Sequence, residues 1–122
     1  MVAPTAGAVV LVQFPFSDLS RSKLRPAVVL ADVGRGDRVL CQVTSKPYGD
    51  SSTVKLEEAD FASGSLHVTS YVRPGKLFTA STELIKADVG MLKGEALTRI
   101  VDAVVALLRP AVASTPESPT PS

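Results

Sequence analysis

The sequence predicts a single, mainly β domain that ends in one amphipathic helix. Short runs rich in apolar and β-branched residues recur between turn signals up to about residue 92, and the apolar spacing becomes helical after Gly94. Several short strands separated by turns favour a small barrel or sandwich over a parallel sheet. The 122 residues, 45% of them hydrophobic, suffice for one domain with a modest core.

The first three strands are expected on either side of a polar loop. Residues 9–14 (VVLVQF) are apolar on both alternations except at the glutamine, which is typical of a strand buried on both faces. Residues 15–25 are rich in serine and charge, which favours a loop. Residues 26–31 and 38–45 flank the turn sequence GRGD, so we expect residues 26–45 to form a β-hairpin.

The second half of the chain carries weaker strand signals. Residues 53–56 and 66–72 alternate well enough for strands, and the sequence RPG at residues 73–75 is expected to end the second of them. Two more short strands are expected at residues 76–79 and 84–92. The pattern of the last of these is equally compatible with a helical turn at its start.

A helix is expected after residue 94. Apolar residues follow the spacing i, i+3, i+4, i+7 along one stripe, formed by Leu97, Ile100, Val101, Val104, Val105 and Leu108. Gly94 is expected to cap this helix, and Pro110 to prevent its continuation beyond Arg109. The sequence that follows is rich in proline, serine and threonine. We therefore expect a domain at residues 1–109 and a disordered tail at residues 110–122.

Charge and hydropathy limit the function classes. Thirteen basic and twelve acidic side chains give a net charge of +1, so total charge does not indicate nucleic-acid binding. The distribution says more, because Arg21, Lys23 and Arg25 lie within five residues with no acid among them. No apolar run approaches the roughly 20 residues that a bilayer span needs, and the first residues lack a secretory pattern. We expect a soluble, cytoplasmic protein.

Three other groups of reactive side chains have simple interpretations. Cys41, the only cysteine, excludes an internal disulfide and is expected to be a buried structural thiol, since no cation is adjacent in sequence. His67 is the only histidine and is expected in a strand, because it has no partner at metal-ligand spacing. Glu57, Glu58 and Asp60 are expected to form a solvated turn. No metal or other cofactor is expected.

The remaining candidate site is cationic and hydroxylic. Arg25 starts the second strand, and Thr44 and Ser45 end the third, so antiparallel pairing should bring them close together. A guanidinium donates a planar fork of hydrogen bonds that suits a phosphate, and a hydroxyl can donate one more. Together they could stabilise charge on a phosphorus centre without a metal. Alternatively, Arg25 pairs with a surface carboxylate such as Asp18, and Thr44 is an ordinary strand residue. Spacing alone leaves both interpretations open.

The stretch GAVVLVQFPFSDLSRSKLRPAVVL, followed by VLCQVTS and SYVRPGKLFTAS, resembles the MazF/PemK family of toxin endoribonucleases from bacterial toxin–antitoxin pairs. The similarity covers about residues 7–108, and FPFSD…KLRPAVVL is its most specific part. It implies a compact SH3-like, plasmid-toxin β-barrel with a C-terminal helix, acting as a homodimer. It also implies metal-independent cleavage of single-stranded RNA, in which the ribose 2′-hydroxyl attacks the adjacent phosphate and leaves 2′,3′-cyclic phosphate and 5′-hydroxyl ends.

The same resemblance implies roles for individual residues. The family's catalytic arginine corresponds to Arg25, and its strand-end threonine corresponds to Thr44, with Ser45 beside it, orienting or stabilising the phosphoryl group. Arg25 would act as an acid–base participant and phosphate clamp. Because a free arginine is protonated at neutral pH, electrostatic stabilisation is the safer role, and no base is identified. The expected RNA contacts are Ser17, Asp18, Ser20, Arg21, Ser22, Lys23, Lys46, Arg73 and Lys76.

Partners and alternatives follow from the resemblance as well. A cognate antitoxin is expected to neutralise the toxin by occupying the cationic groove, and to bind DNA together with it. Many relatives carry an arginine where this chain has Phe78, and Arg73 or Lys76 are the candidates to supply that charge. One alternative is a non-catalytic barrel that binds nucleic acid or protein as a degenerate toxin. Another is a toxin directed at gyrase.

Overall fold

The computed structural model describes residues 4–15, 22–46 and 52–113, which form seven strands, two short 3₁₀ helices and one α-helix. The strands are β1 (Ala8–Pro15), β2 (Ser22–Gly34), β3 (Asp37–Thr44), β4 (Val54–Leu56), β5 (Phe61–Gly64), β6 (Ser70–Ser81) and β7 (Ile85–Leu92). The 3₁₀ helices are Glu58–Asp60 and Thr82–Leu84, and the helix α1 is Gly94–Ala113.

All seven strands pair antiparallel in one sheet that is curled into a half-barrel. The strand order is β4-β6-β3-β2-β1-β7-β5, so β1, β2 and β3 lie at the centre. The predicted fold class, a mainly β barrel with one C-terminal helix, is confirmed.

The central strands are buried on both faces because apolar residues occupy both alternations. Val9 pairs with Val28 and Val28 with Cys41, so these three share one face, where they join the buried residues of α1 in a core cluster. The opposite face carries a second cluster, formed by Ala8, Val10, Val12, Ala27, Val29, Leu40 and Ala80. Burial on both faces confirms the interpretation of the first strand, and it holds β1 to β3 as a rigid base for the residues at their ends.

The β2–β3 hairpin is confirmed and is anchored by a buried arginine. Its turn has positive φ at residues 34–36, a backbone conformation that two of the three residues accommodate as glycines. The guanidinium of Arg38 donates to the carbonyl oxygens of Pro4 (2.9 Å) and Asp37 (3.0 Å). It also lies 3.1 Å from a carboxylate oxygen of Asp32. Arg38 thus ties the start of the described chain to the hairpin turn.

Strand β6 corrects two predictions. Residues 66–69 lie outside any strand, and the sequence RPG at residues 73–75 does not end one. Pairing with β3 instead continues on both sides of this sequence, with a register that runs Val43↔Val72 and then Cys41↔Leu77. Residues 73–76 therefore form a bulge opposite a single residue of β3, where proline and glycine are tolerated because the bulged residues are not needed in the ladder.

The helix α1 buries only part of its predicted apolar stripe. Ile100 is fully buried and Leu97 and Val104 are half-buried, whereas Val101 and Leu108 are exposed. Within the described residues, no helix is long and apolar enough to cross a membrane.

The ends of α1 differ from the prediction. The carbonyl oxygen of Lys93 accepts the N–H groups of residues 96 and 97, so Gly94 is the first helical residue and Lys93 precedes the first turn. The helix continues to Ala113, so the prediction that Pro110 ends it is wrong. Proline removes one backbone donor, a small loss in a last turn whose neighbouring residues are exposed to water. Residues 114–122 of the predicted tail lie outside the described residues.

An ion pair joins α1 to the 3₁₀ helix Glu58–Asp60. Arg99 Nη2 lies 2.9 Å from Asp60 Oδ1, and the backbone N–H of Glu57 donates to Asp60 Oδ2 at 2.8 Å. Partial burial raises the pKa of the Asp60 carboxyl, but the hydrogen bonds from Glu57 and Arg99 and the charges of Arg99 and Lys93 outweigh it. The pKa of Asp60 therefore lies below its ordinary value of 3.8. The acidic turn is exposed at its glutamates, as predicted, but Asp60 has a structural role.

We expect Asp60→Asn to remove stability that is sensitive to acid. Because the folded pKa is depressed, the carboxylate stabilises the fold above its unfolded pKa, and this contribution is lost as pH falls through the folded pKa. The free energy of unfolding, measured with denaturant, should fall by about 1 kcal/mol or less at neutral pH, and the difference should shrink as the pH falls below the ordinary carboxyl pKa of 3.8. Arg99→Gln should reproduce the pH dependence. A difference that is independent of pH would contradict this account.

Candidate functional site

A cavity of about 370 Å³ opens where the β2–β3 hairpin meets the segment before β6. Ala27 pairs with Gln42, and continuing this register by two residues brings Arg25 opposite Thr44. Both line the cavity, as does Ser45, so the hairpin register brings the three predicted catalytic residues to one place. The other lining residues are Lys23, Leu24, Pro26, Val43, Lys46, Leu66, Val68 and Ser70.

Two of the basic residues of the cavity, Lys23 and Arg25, lie on a strand rather than in a loop. β2 begins at Ser22, four residues earlier than predicted, and β1 pairs with it through Phe14↔Lys23 and Val12↔Arg25. Lys23 and Arg25 are two residues apart on this strand and therefore share a face of the sheet. Their backbones are held by the ladder, which limits the motion of both cations to their side chains.

The end of β3 supplies the hydroxyl groups. The Thr44 Oγ1 atom accepts a hydrogen bond from the backbone N–H of Lys46 at 3.2 Å, which turns the chain after the strand. Because this oxygen acts as an acceptor there, its own hydrogen remains to be donated to a ligand. Thr44 is half-buried, whereas Ser45 and Lys46 are exposed beside it.

The described residues that line the cavity give it positive charge. Lys23, Arg25 and Lys46 are cationic, and no carboxylate is among the lining residues. A cavity lined by three cations and three hydroxyl side chains is suited to a phosphodiester, which presents oxygens that accept hydrogen bonds. Leu66 and Val68 add apolar surface to the same cavity.

Other predicted site residues lie elsewhere or outside the described residues. Arg73 and Lys76 lie in the bulge of β6 and are not among the lining residues. Phe78, at the position where many relatives have an arginine, packs against the apolar cluster on the second face of the sheet. Ser22 is the first residue of β2. Outside the described residues lie Ser17, Asp18, Ser20 and Arg21, and with them the alternative pairing of Arg25 with Asp18.

The two other reactive side chains considered from the sequence, Cys41 and His67, lie in different surroundings. Cys41 is fully buried and its Sγ donates to the carbonyl oxygen of Arg73 at 2.9 Å. Burial raises the pKa of the Cys41 thiol to about 12, which confirms a structural role. The prediction that His67 lies in a strand is wrong. His67 is exposed in the segment between β5 and β6, with a φ of 65°.

Sequence reasoning missed the wall formed by Leu66, Val68 and Ser70. These residues were expected in a strand, and they reach the cavity only because β6 pairs with the end of β3. The sequence contains only a weak local signal for this wall. The alternation of apolar and polar residues in LHVTS is compatible with either a strand or a segment that lines a cavity.

The fold and the cavity together define a class: a small curled β-barrel with a C-terminal helix and a cationic cavity at the base of its first long hairpin. Residues 5–108 match the family described as PemK-like, MazF-like toxin of type II toxin-antitoxin system. The chain belongs to this family, and the resemblance of its sequence is confirmed.

Solved structures share this fold. A MazE-MazF complex from Deinococcus radiodurans has a TM-score of 0.71 at 21% identity, covering 88% of this chain and 98% of that chain. An endoribonuclease in complex with its cognate antitoxin, from a mycobacterial species, has a TM-score of 0.68 at 17% identity, with coverage of 89% and 96%. The Mycobacterium tuberculosis toxin MazF-mt6 gives 0.65 at 17%, with coverage of 84% and 96%. No curated protein matches the sequence significantly.

Proposed function

We propose that this chain is a toxin endoribonuclease that cleaves single-stranded RNA in the cavity lined by Arg25 and Thr44. The observation that carries the proposal is that Arg25, Thr44 and Lys46 converge on one cavity, and that no carboxylate is among the described residues that line it. Family membership supports it, because toxins of the PemK/MazF family are endoribonucleases in general. A structurally similar mycobacterial protein is also an endoribonuclease.

The proposed reaction is transesterification within the RNA. The ribose 2′-oxygen forms a bond to the adjacent phosphorus and loses its proton, while the bond from phosphorus to the 5′-oxygen breaks and that oxygen gains a proton. Negative charge builds on the non-bridging oxygens, where the Arg25 fork and the Thr44 hydroxyl can donate hydrogen bonds. Arg25 is assigned electrostatic stabilisation. The products are a 2′,3′-cyclic phosphate and a 5′-hydroxyl.

The flanking RNA would follow the remaining cations. Lys23 and Lys46 line the same cavity as Arg25 and suit the phosphates on either side of the scissile one. Leu66 and Val68 offer apolar surface to a ribose or a base. Further proposed contacts are Ser17, Asp18, Ser20, Arg21, Ser22, Arg73 and Lys76, of which Arg73 and Lys76 are not among the residues that line this cavity.

The proposed partners are a cognate antitoxin and a second copy of the chain. An antitoxin segment with acidic side chains would compete with RNA for the cations that line the cavity. Two of the structurally similar proteins were solved with an antitoxin bound, which supports this partner. We place the homodimer, joint DNA binding with the antitoxin and a cytoplasmic location in the same proposal, in keeping with toxins of this family.

Purified protein should cleave a long single-stranded RNA at the same rate in excess EDTA as in magnesium, because the cavity cations supply the positive charge that the reaction needs. The upstream ends should resist ligation until the cyclic phosphate is opened and the resulting phosphate is removed, and the downstream ends should accept phosphate from a kinase without prior phosphatase treatment. Chelation that abolishes cleavage would contradict metal independence. RNA that stays intact while it is bound would favour the non-catalytic barrel, and inhibition of gyrase without RNA cleavage would favour the gyrase-directed toxin.

A further inference from the structure

A second cavity, of about 150 Å³, lies next to the first. Val68 lines both cavities, so the segment 65–70 between β5 and β6 forms a wall that they share. We propose that the smaller cavity binds one nucleobase of the RNA whose scissile phosphate occupies the larger one, an inference that rests on the proposed function. The residues that line it are Glu58, Phe61, Ser65, His67, Val68 and Thr69.

The charges of the two cavities separate phosphate from base. Among the described residues, the larger cavity is lined by three cations and no carboxylate, whereas the smaller one is lined by the Glu58 carboxylate and by no lysine or arginine. A carboxylate repels a phosphate but accepts hydrogen bonds from the amino group of a base, as it does from cytosine N4. The smaller cavity is therefore suited to a base with an exocyclic amino group, in preference to uracil.

The aromatic side chains of the cavity suit a planar ligand. Unstacked RNA bases stack on aromatic side chains, including histidine, and His67 presents an exposed imidazole here. Phe61 is 9% exposed and supplies an apolar surface within the cavity. The volume is well below the roughly 300–1,000 Å³ of a pocket for a drug-sized ligand, which fits a single ring system better than a whole nucleotide.

The shared wall is already held in place. The hydroxyl oxygen of Ser65 accepts the backbone N–H of His67 at 2.8 Å and supports its left-handed conformation. Ser70, which is 3% exposed, donates its hydroxyl to the carbonyl oxygen of Val68 at 3.1 Å. Little backbone ordering is then needed on binding, which favours discrimination between bases.

Glu58→Gln should change the base that is preferred at one position flanking the cut. Glutamine keeps the length of the side chain but adds a donor, so the cavity would lose its selectivity for amino groups by on the order of tenfold. The readout is the sequence around the cut sites in a pool of random RNA. The matched control is Glu83→Gln, an exposed carboxylate outside both cavities, which should leave the cut-site sequence unchanged.

Substitutions of His67 test the stacking component. His67→Asn removes the ring but tolerates the left-handed backbone, and it should lower kcat/KM on the preferred RNA by on the order of tenfold. His67→Tyr retains an aromatic face and should recover most of that loss. Thermal unfolding of each variant distinguishes an effect on the site from an effect on folding.

A binding experiment separates this inference from the proposed function. In an Arg25→Ala background, in which cleavage should be slowed by at least about 10²-fold, the affinities of labelled oligonucleotides that differ at one base are compared with and without Glu58→Gln. A change in relative affinities supports the base site even if the wild-type protein cleaves no RNA. If folded Glu58→Gln and His67→Asn variants keep both the wild-type cut-site sequence and the relative affinities, the inference is overturned.

Discussion

Replacing Arg25 by alanine should reduce the rate of RNA cleavage by at least about 10²- to 10³-fold, the usual consequence of removing one group that stabilises charge in a transition state. The guanidinium lies on β2 in the same cavity as Thr44, where a phosphoryl group would accept its two parallel hydrogen bonds. Arg25→Lys keeps the charge but loses the fork, so it should recover only part of the activity. Single-turnover kinetics on a short RNA with one cut site measure the chemical step directly.

The matched control for this experiment is Arg109→Ala, which removes an exposed arginine of α1 outside the cavity. It should leave the rate unchanged, and thermal unfolding should show both variants to be folded. RNA affinity should fall less than the rate in Arg25→Ala, because Lys23 and Lys46 still line the cavity. Full activity in a folded Arg25→Ala protein would show that the chemistry takes place elsewhere on the chain.

The part of this site that the sequence predicts is the part built by local pairing. A hairpin with a short turn leaves few possible registers, so the proximity of Arg25 to Thr44 follows from their positions on either side of the GRGD turn. Membership of the toxin family supports the chemistry that we propose for these residues. The cationic part of the cavity lining could therefore be predicted from one stretch of sequence.

The apolar part of the cavity lining, Leu66 and Val68, could not be predicted, because it depends on contacts between distant segments. Val43 pairs with Val72 just before the bulge of β6, and this pairing brings Leu66 and Val68 to the cavity. Strand β5 also depends on a contact with a distant segment. Its sequence FASG has little strand preference of its own, and it is a strand because Phe61 pairs with Leu92 of β7. In both cases tertiary context outweighs the local pattern.

Gly64→Ala should destabilise the protein by about 2–4 kcal/mol, since it combines overpacking with a strained backbone. Gly64 has a φ of 67° at the end of β5 and pairs with Gly90 of β7. A methyl group at Gly64 would overlap the carbonyl oxygen of Val89 and come within 2.6 Å of Gly90 Cα. Both are backbone atoms and cannot rotate away. The midpoint of thermal unfolding should fall by roughly 10–20 °C.

Gly34→Ala separates the two causes of this loss. Gly34 has a φ of 87°, but a methyl group there would meet no atom within 4 Å, so only the backbone strain of about 1 kcal/mol remains. The additional decrease in the free energy of unfolding of Gly64→Ala then measures how tightly β5 is held against β7. Equal losses in the two variants would mean that this edge strand moves aside at little cost. If β5 is tightly held, Gly64→Ala should also weaken selection of bases at the cut, because residues 65–70 that follow it form the wall between the two cavities.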